Sequence, residues 1–364
     1  MGIWPGSLES MAVRDFWRNK RVFLTGHTGF KGGWLALWLT DMGADVHGYA
    51  LEPPAEPGFF TVTDLQARLA SSTIADIRDA SVLNHAMQEA QPDLVFHLAA
   101  QPLVRYSYED PVETYGVNVM GTVNLLEAVR RSPGIRAVIN VTSDKCYTNR
   151  EWLWPYREEE ALGGFDPYSS SKACTELVTA AYRCSFLDET NTWLASARAG
   201  NVIGGGDWAE DRLVPDFLRA MDAGQPLMIR SPQAIRPWQH VLEPLAGYLM
   251  LAEQLYTEGK AFADAWNFGP EAMDARTVKW LVDYLCLQVP GAVWQNDSLS
   301  HPHEAHTLRL DISKAKARLD WRPQWSLDDA IDMTLAWHQA WRKGKDMVAI
   351  SLQQIHEYET MMKI

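Results

Sequence analysis

The sequence predicts an α/β protein, with a doubly wound parallel sheet followed by a smaller α/β lobe. Over the first 200 residues, short runs rich in β-branched and aromatic residues alternate with stretches of helical periodicity. The strand-like runs are apolar throughout, as expected where helices cover both faces of a sheet. Hydrophobic residues make up 47% and charged residues 22% of the 364 positions, which is ordinary for a globular protein and excludes a disordered or fibrous chain.

The elements of this first part follow one another in a regular order. Strands are predicted at residues 21–25, 45–51, 94–100 and 136–142. Helices are predicted at residues 33–42, 80–90 and 112–131. The first helix is expected to end at Gly43, because glycine readily takes the left-handed conformation that follows a helix.

A glycine-rich turn joins the first strand to the first helix. Residues 25–32 read TGHTGFKG, so Gly26, Gly29 and Gly32 are spaced G-x-x-G-x-x-G. The first two allow the backbone to approach a pyrophosphate, and Gly32 lets the helix pack close to the strand with its N–H groups facing that anion. Three glycines can also form a simple turn, but with a strand before and a helix after, they predict a Rossmann-type dinucleotide site.

The next strand is followed by Glu52, twenty positions beyond Gly32. A carboxylate there accepts hydrogen bonds from ribose hydroxyls and repels a 2′-phosphate. Residues 53–58 contain no Lys or Arg to receive that phosphate, so NAD is favoured over NADP, unless Glu52 is only a solvated loop residue. Further cofactor contacts are expected from Thr28, Phe30, Lys31, Asp76, Ile77, Ala99, Ala100, Gln101 and Asn118.

A candidate catalytic group follows the strand predicted at residues 136–142. Tyr168 and Lys172 are four residues apart, on one face of a helix, and lie beyond Ser143 at the end of a predicted strand. A nearby cation, together with a positively charged nicotinamide, is expected to lower the pKa of the tyrosine phenol and make it a usable base. Tyr–Lys pairs at this spacing also occur on ordinary helices, so the combination with Ser143 and the glycine turn carries the prediction.

That combination resembles the short-chain dehydrogenase/reductase superfamily in its extended form. Longer segments resemble the CDP-glucose 4,6-dehydratases within it, and the resemblance covers nearly the whole chain after Met11. The segments are GHTGFKGGW (26–34), AAQPLVR (99–105), TSDKCY (142–147), DPYSSSK (166–172), AGNVIGGGDW (199–208), RPWQHVLEP (236–244) and HPHEAH (301–306).

The resemblance implies a reaction and a role for each catalytic residue. CDP-glucose would be oxidised at C4, lose water across C5 and C6, and receive the hydride back at C6, with NAD bound throughout. Ser143 would orient the sugar 4-hydroxyl and Tyr168 would take its proton. Asp144 would protonate the departing C6 hydroxyl, and Lys145 stands where related dTDP-glucose dehydratases carry Glu as the C5 base. Because Asp144 and Lys145 are adjacent, we expect them to titrate as a coupled pair.

The substrate diphosphate needs specific cations in a chain of formal net charge −13. The resemblance places Asn201, Arg212 and Arg236 in the pyrophosphate and sugar pocket, although each arginine could instead form a surface ion pair. Arg105 is expected at the sugar end, and His303 and Glu304 near the nucleotide. No metal is expected, because the histidines of residues 301–306 are interleaved with a proline and lack a ladder of further ligands.

These observations predict the organisation of the chain. Residues 1–10 are expected to be a disordered extension, residues 11–200 an NAD-binding Rossmann domain, and residues 201–364 mainly a substrate-binding lobe, with the chain recrossing between the two. The acidic balance argues against nucleic acid as a partner, and no apolar run is long enough to span a bilayer. Four cysteines without metal-ligand spacing favour the cytoplasm.

Two alternative functions stay open at this stage. A nucleotide-sugar 4-epimerase of the same superfamily would need Ser143, Tyr168 and Lys172 but not the Asp144–Lys145 pair. A non-catalytic NAD-binding regulator would keep the glycine turn without needing the Tyr–Lys pair.

Related enzymes pair the helices near residues 112–131 and 168–187, which implies a homodimer or homotetramer.

Overall fold

The computed structural model describes residues 14–54, 57–297 and 307–362. Its strands, in chain order, are β1 Arg21–Thr25, β2 Asp45–Ala50, β3 Ser71–Ile74, β4 Leu94–His97, β5 Ala137–Val141, β6 Trp193–Ala199, β7 Val202–Ile203, β8 Leu227–Ile229, β9 Ile235–Pro237, β10 Gln239–His240, β11 Ala265–Phe268, β12 Ala275–Thr277 and β13 Trp294–Asn296. The strands predicted from the sequence are confirmed, with ends shifted by up to three residues.

Helices account for most of the remaining regular structure. They are α1 Phe30–Asp41, α2 Phe59–Val62, α3 Ala80–Ala90, α4 Val104–Glu109, α5 Pro111–Tyr115, α6 Gly121–Arg130, α7 Pro167–Tyr182, α8 Leu213–Asp222, α9 Leu242–Glu258, α10 Val278–Gln288, α11 Ser313–Arg318, α12 Leu327–Arg342 and α13 Met347–Met361. The first helix ends as predicted, with Gly43 at φ 84°.

One large sheet organises the molecule. Seven strands pair in parallel in the order β11-β6-β5-β4-β1-β2-β3. The strand order reverses between β1 and β4, and ligands of open α/β sheets bind beside such a reversal, at the carboxyl ends of the strands. The predicted doubly wound parallel sheet is therefore confirmed.

The chain returns to the sheet after residue 201. Helix α9 packs on β5 and β6, and β11 then pairs with β6 as the edge strand. The return is a helix–strand unit like those of the first half, although no strand was predicted from this part of the sequence. The sequence signal is weak because β11 has four residues and contains Asn267 among its apolar positions.

The rest of the second half forms a smaller assembly of short strand pairs and helices. β12 pairs with β9, and β13 pairs with β8. Phe217, Leu281 and Ile331 belong to a separate apolar cluster between α8, α10 and α12. This assembly carries two of the predicted substrate arginines: Arg212 directly precedes α8, and Arg236 lies within β9.

The predicted long helix at residues 112–131 is interrupted. A π-helical turn, Gly116–Met120, separates α5 from α6. Gly121 follows this turn, and a Cβ there would lie 2.7 Å from Ile77 Cγ2. The helix therefore packs closely on the end of β3, with Asn118 turned inward.

Candidate active site

The glycine turn after β1 has the tight geometry that its spacing predicted. Gly26 has φ 81°, and a Cβ there would lie 2.8 Å from the Ala99 nitrogen. A Cβ on Gly32 would lie 2.0 Å from the Gly26 oxygen, so only glycine allows α1 to begin this close to β1. A Cβ on Gly29 would meet only the Gly26 oxygen, at 3.4 Å, and otherwise open space. The first turn of α1 carries no acidic residue that would repel an anion at its N–H groups.

The segments that follow β2 and β3 carry the polar residues predicted to bind the other half of the cofactor. Thr28 Oγ1 donates to the Leu51 carbonyl at 2.9 Å, which ties the turn to the exposed Glu52 region. Asp76 is paired with Arg78 at 2.6 Å, and this ion pair holds the pKa of the Asp76 carboxyl below its usual range. The ends of β2 and β5 are three sheet positions apart, roughly 14 Å at ~4.8 Å per strand, a span that an extended dinucleotide can bridge.

The predicted catalytic residues meet at the end of β5. Ser143 caps a short 3-10 turn, Asp144–Cys146, and its Oγ accepts from the Lys145 backbone N–H at 3.2 Å. The same hydroxyl donates to Asp144 Oδ1 at 3.1 Å, and it lies near enough to the Tyr168 phenol to act on the pKa of that group. The structure therefore brings the serine, the aspartate and the tyrosine together, with Lys172 one turn further along the same helix as Tyr168.

Asp144 is enclosed, and one of its carboxyl oxygens is left unpartnered. Its side chain is buried, and Oδ2 has no hydrogen-bond partner within the described chain. Burial raises the pKa of the Asp144 carboxyl, and the positive charges of Lys145, Arg236 and Lys31 only partly offset that effect. A Cβ on Gly200 would lie 3.0 Å from Oδ2, so the glycine leaves room beside this oxygen.

The pKa of the tyrosine differs from the sequence prediction. Burial raises the pKa of Tyr168 to about 12, and the negative charge of Asp144 adds to the increase. The Ser143 hydroxyl and the Arg212 charge act in the opposite direction but are outweighed. Burial also lowers the pKa of Lys172 to about 8. The prediction combined the nearby cation with a positively charged nicotinamide; the side chains of this chain by themselves do not lower the pKa of the phenol.

A buried ion pair, Glu176–Arg198, supports the catalytic helix and was missed in the sequence. The Glu176 carboxylate accepts from Arg198 Nη2 at 2.8 Å, from Ser196 Oγ at 2.6 Å and from the Thr142 hydroxyl. It thus ties α7 to the residue just before Ser143. Glu176 lies four positions after Lys172, on the same helix face, and that spacing was the available signal.

The loop after β4 is held to the catalytic helix by Asn118. Its Oδ1 accepts from the Gln101 N–H at 2.8 Å, while Nδ2 donates to the Gln101 carbonyl at 3.1 Å and to Ser171 Oγ at 2.8 Å. Asn118 was predicted as a cofactor residue, and these contacts give it a positioning role. Ile77 packs in the apolar core beside α6.

Four of the six predicted substrate residues lie within the described parts of the chain. Arg212 Nη1 pairs with the buried Asp207 at 2.9 Å. Arg236 is buried, donates to the Ile235 carbonyl at 3.0 Å, and acts electrostatically on Asp144. Arg105 pairs with Asp211 at 3.0 Å. Asn201 lies between β6 and β7, where its carbonyl accepts from the Gln239 N–H at 3.0 Å.

Lys31, which was predicted to contact the cofactor, lies close to the predicted catalytic residues. It lies near Lys172, Arg212, Asp144 and Asp207, and burial lowers the pKa of its ammonium to about 8. The remaining predicted substrate residues, His303 and Glu304, lie outside the described residues. Across the described parts of the chain, no three His, Cys, Asp or Glu side chains are grouped to hold a metal ion.

The fold and this residue group define a class of enzyme. A Rossmann-type sheet with a glycine turn after β1, a serine after β5 and a Tyr-x-x-x-Lys helix is the arrangement of an extended short-chain dehydrogenase/reductase. Solved structures with the same fold include an epimerase of Methanothermobacter thermautotrophicus, with a TM-score of 0.78 at 22% identity over 93% of this chain and 98% of that chain. Another is MoeE5 in complex with UDP-glucuronic acid and NAD, with a TM-score of 0.73 at 21% identity over 87% and 98% of the two chains.

Within this class, the chain belongs to the GDP-mannose 4,6-dehydratase family, whose model matches residues 23–334. The CDP-glucose 4,6-dehydratase of Salmonella typhimurium strain LT2 is 55% identical over 354 residues, covering 96% of this chain and 98% of that protein. The dTDP-glucose 4,6-dehydratase of Streptomyces griseus is 30% identical over 259 residues, covering 69% and 74% of the two chains. Among the described helices, none is long and apolar enough to cross a membrane.

Proposed function

We propose that this chain is a hydro-lyase that uses tightly bound NAD to convert CDP-D-glucose into CDP-4-dehydro-6-deoxy-D-glucose and water. The observation that carries the proposal is the buried Asp144 carboxyl, which shares a hydrogen bond with Ser143 and leaves Oδ2 unpartnered within the described chain. A simple 4-epimerase has no leaving hydroxyl that needs an acid there. The 55% identity over nearly the whole chain supports cytidine as the nucleoside.

The residues of the cleft fit a dinucleotide. The open space in front of Gly29 and the first turn of α1 suits a diphosphate. Glu52 and Asp76 follow β2 and β3, where the adenosine half would lie, and Ala99, Ala100 and Gln101 follow β4 beside it. We propose that these residues, with Tyr168 and Lys172, hold NAD, which is also present in the solved MoeE5 complex.

The first half of the reaction takes place at C4 of the sugar. Bound NAD would accept a hydride from C4 and return it later to C6. Ser143 Oγ orients the 4-hydroxyl, and the Tyr168 phenolate removes its proton, leaving a ketone at C4. Because burial raises the pKa of Tyr168 to about 12, the phenolate needs positive charge in the closed site, and Lys172 and Arg212 supply part of it.

The second half is an elimination followed by reprotonation. The C4 ketone acidifies the C5 proton, which Lys145 removes in its neutral form. The Asp144 carboxyl donates a proton to the C6 hydroxyl, which leaves as water. The raised pKa of Asp144 favours the neutral acid that this step requires. After reduction at C6, a proton returns to C5 and the product is released.

The substrate is bound mainly through its charges. Arg212 and Arg236 lie close to the catalytic group and are suited to the diphosphate. We propose that Asn201 and Arg105 line the sugar end. His303 and Glu304 are proposed near the nucleotide, on the basis of the sequence alone.

A substrate panel tests this function. Purified protein is incubated separately with CDP-, dTDP-, UDP- and GDP-glucose, and the sugar products are identified by mass and by NMR. We expect a 4-keto-6-deoxy product, 18 mass units lighter through loss of water, with CDP-glucose turned over most efficiently. Formation of CDP-galactose would indicate an epimerase, and NAD binding without turnover of any of the four would indicate a non-catalytic regulator.

We further propose that two copies pair through the helices α5–α6 and α7, with a dimer or tetramer as the working form. Val112, Met120 and Leu177 are large apolar residues exposed on these helices, as expected of an interface. The four cysteines are unpaired, which fits a reducing cytoplasm.

A further inference from the structure

A second group of charged residues lies beside the catalytic cleft and contains an arginine that neither the sequence motifs nor the mechanism uses. Asp211 Oδ1 accepts from Arg105 Nη1 at 3.0 Å and from Arg230 Nη2 at 3.2 Å. Arg105 lies on α4, shortly after β4, whereas Arg230 follows β8 in the smaller assembly. Asp211 therefore joins the two sides of the cleft.

Arg230 is incompletely satisfied where it stands. Its side chain is mostly buried, and Nη1 is inaccessible to solvent and without a hydrogen-bond partner within the described chain. Leaving a buried charged donor unpaired is unfavourable, and native structures rarely keep one without a functional reason. A guanidinium with one nitrogen held by a carboxylate and the other unpaired is arranged to receive a second anion.

The position of this arginine indicates which anion it would receive. Asp211 is directly followed by Arg212, whose charge acts on the Tyr168 phenol at the reactive centre. Asp211 itself has φ 58°, a left-handed conformation that is uncommon for a residue with a side chain. This turn directs Asp211 toward Arg105 and Arg230 while Arg212 pairs with Asp207. The two adjacent residues thus connect the arginine pair to the catalytic group.

We infer that Arg230 binds the diphosphate of the nucleotide-sugar substrate and that Asp211 is the residue that positions it. This inference rests on the proposed function, because it takes a nucleoside diphosphate as the ligand. Asp211 holds Nη2, so that the planar guanidinium presents Nη1 to a phosphate oxygen. The acidic neighbour Asp216 is paired with Arg219.

Nucleotide binding tests the inference. The NAD-loaded wild type and Arg230→Gln are titrated by calorimetry with CDP, UDP, dTDP and GDP, and with cytidine as a ligand without phosphate. For the diphosphate that the wild type binds best, we expect Arg230→Gln to weaken binding at least tenfold while cytidine binding stays within twofold. In turnover, KM for the sugar nucleotide should rise by a similar factor, with kcat changed much less.

Two further variants separate a specific contact from a general effect. Arg230→Lys keeps the charge but not the fork, so we expect an intermediate loss, and it also serves if Arg230→Gln does not fold. Arg342, the last residue of α12, is more exposed and pairs with Asp222 at 3.2 Å. We expect Arg342→Gln to bind the diphosphate as the wild type does. Unchanged diphosphate binding in both Arg230 variants, or an equal loss in Arg342→Gln, would overturn the inference.

The outcomes also separate this inference from the proposed function. If the wild type binds a diphosphate other than CDP best, the cytidine assignment is wrong, but the role of Arg230 is still tested on that nucleotide. If the wild type binds CDP and turns over CDP-glucose while both Arg230 variants match it, only the inference about Arg230 fails. If the wild type binds none of the four diphosphates, both fail.

Discussion

At the residue scale, the proposed reaction depends on one buried carboxyl group whose pKa is raised. Asp144 is 3% exposed, and burial outweighs three nearby cations in setting the pKa of its carboxyl above the ordinary value. Lys145, beside it, is partly exposed. The proposed acid is therefore enclosed, while the proposed base is partly exposed.

Removing the acid should block the elimination and spare the oxidation. In Asp144→Asn, the amide cannot donate an acidic proton to the leaving hydroxyl, so we expect turnover of CDP-glucose to fall by about 100- to 10,000-fold, the usual range for a lost general acid. Adding CDP-glucose should still reduce the bound cofactor in a single turnover, seen as a rise in reduced-nicotinamide absorbance. A variant that forms product at the wild-type rate would show that Asp144 is not the acid.

Lys145 can be tested separately through the C5 proton. Lys145→Met keeps the length of the side chain but removes the amine. We expect it to lose both turnover and the incorporation of solvent deuterium at C5, measured by NMR of the recovered sugar nucleotide. Lys343→Met, far along the chain at the end of α12, is the matched control and should incorporate deuterium normally. Full C5 exchange in Lys145→Met would assign the base to another residue.

Some of these residues could be predicted from the sequence, and others could not. Ser143, Tyr168 and Lys172 are recognisable because a strand end and a helical i, i+4 spacing place them together. Arg230 and Arg198 gave no such signal, because each pairs with a residue that is distant in the sequence. Arg230 pairs with Asp211, and Arg198 pairs with Glu176, and only the fold brings these residues together. The effect of burial on Tyr168 could not be predicted from the sequence: in the chain by itself, burial outweighs the neighbouring charges and raises the pKa of the phenol to about 12.

At the element scale, the first turn of α9 carries a buried acid with a structural role. Glu243 accepts from the backbone N–H groups of Trp325 and Gln324, at 2.7 and 3.0 Å, and from the Tyr358 hydroxyl at 2.7 Å. It thus joins α9, which packs on the sheet, to the segment before α12 and to the C-terminal helix α13. Burial raises the pKa of Glu243 to about 7.

This raised pKa predicts how stability depends on pH. The folded state holds the Glu243 proton more tightly than the unfolded chain does. The contribution of protonated Glu243 to the free energy of unfolding is therefore present at low pH and is lost as the pH rises through about 7. Between about pH 5 and pH 8 the wild type should lose up to about 3 kcal/mol of unfolding free energy relative to Glu243→Gln, at ~1.4 kcal/mol per pKa unit. Urea unfolding at several pH values measures this difference. Glu357→Gln, exposed on α13, should follow the wild type, and a parallel pH profile in Glu243→Gln would contradict the prediction.

The helices and strands were predicted well where the sequence pattern was clear, and less well where a strand was short and its pattern irregular. The helix at residues 80–90 matches its predicted bounds, and β1 matches residue for residue. β11 was not expected, because four residues with an internal asparagine give no clear alternation. The π turn Gly116–Met120 was also not expected, because such turns are rare and occur as single insertions inside otherwise ordinary α-helices.

At the scale of the whole molecule, the proposed pairing of copies predicts that a variant with a disrupted interface has a lower mass in solution than the wild type. Leu177 on α7 is 59% exposed, and a charge there would be buried in the interface. We expect Leu177→Glu to shift the protein to monomer in analytical ultracentrifugation. Leu287, 83% exposed on α10 of the smaller assembly, is the control, and Leu287→Glu should keep the wild-type mass. An unchanged mass in Leu177→Glu would place the interface elsewhere.

The central claim for the whole molecule is that one enclosed site oxidises C4, eliminates water and reduces C6 of the same sugar. The most direct measurement uses CDP-glucose with deuterium at C4, converted by the purified protein in ordinary water, with the product examined by NMR and mass spectrometry. The account predicts that the 4-keto-6-deoxy product carries one deuterium in its C6 methyl group. A product whose methyl group contains only protium would contradict it, as would recovery of a 4-epimer with the deuterium still at C4.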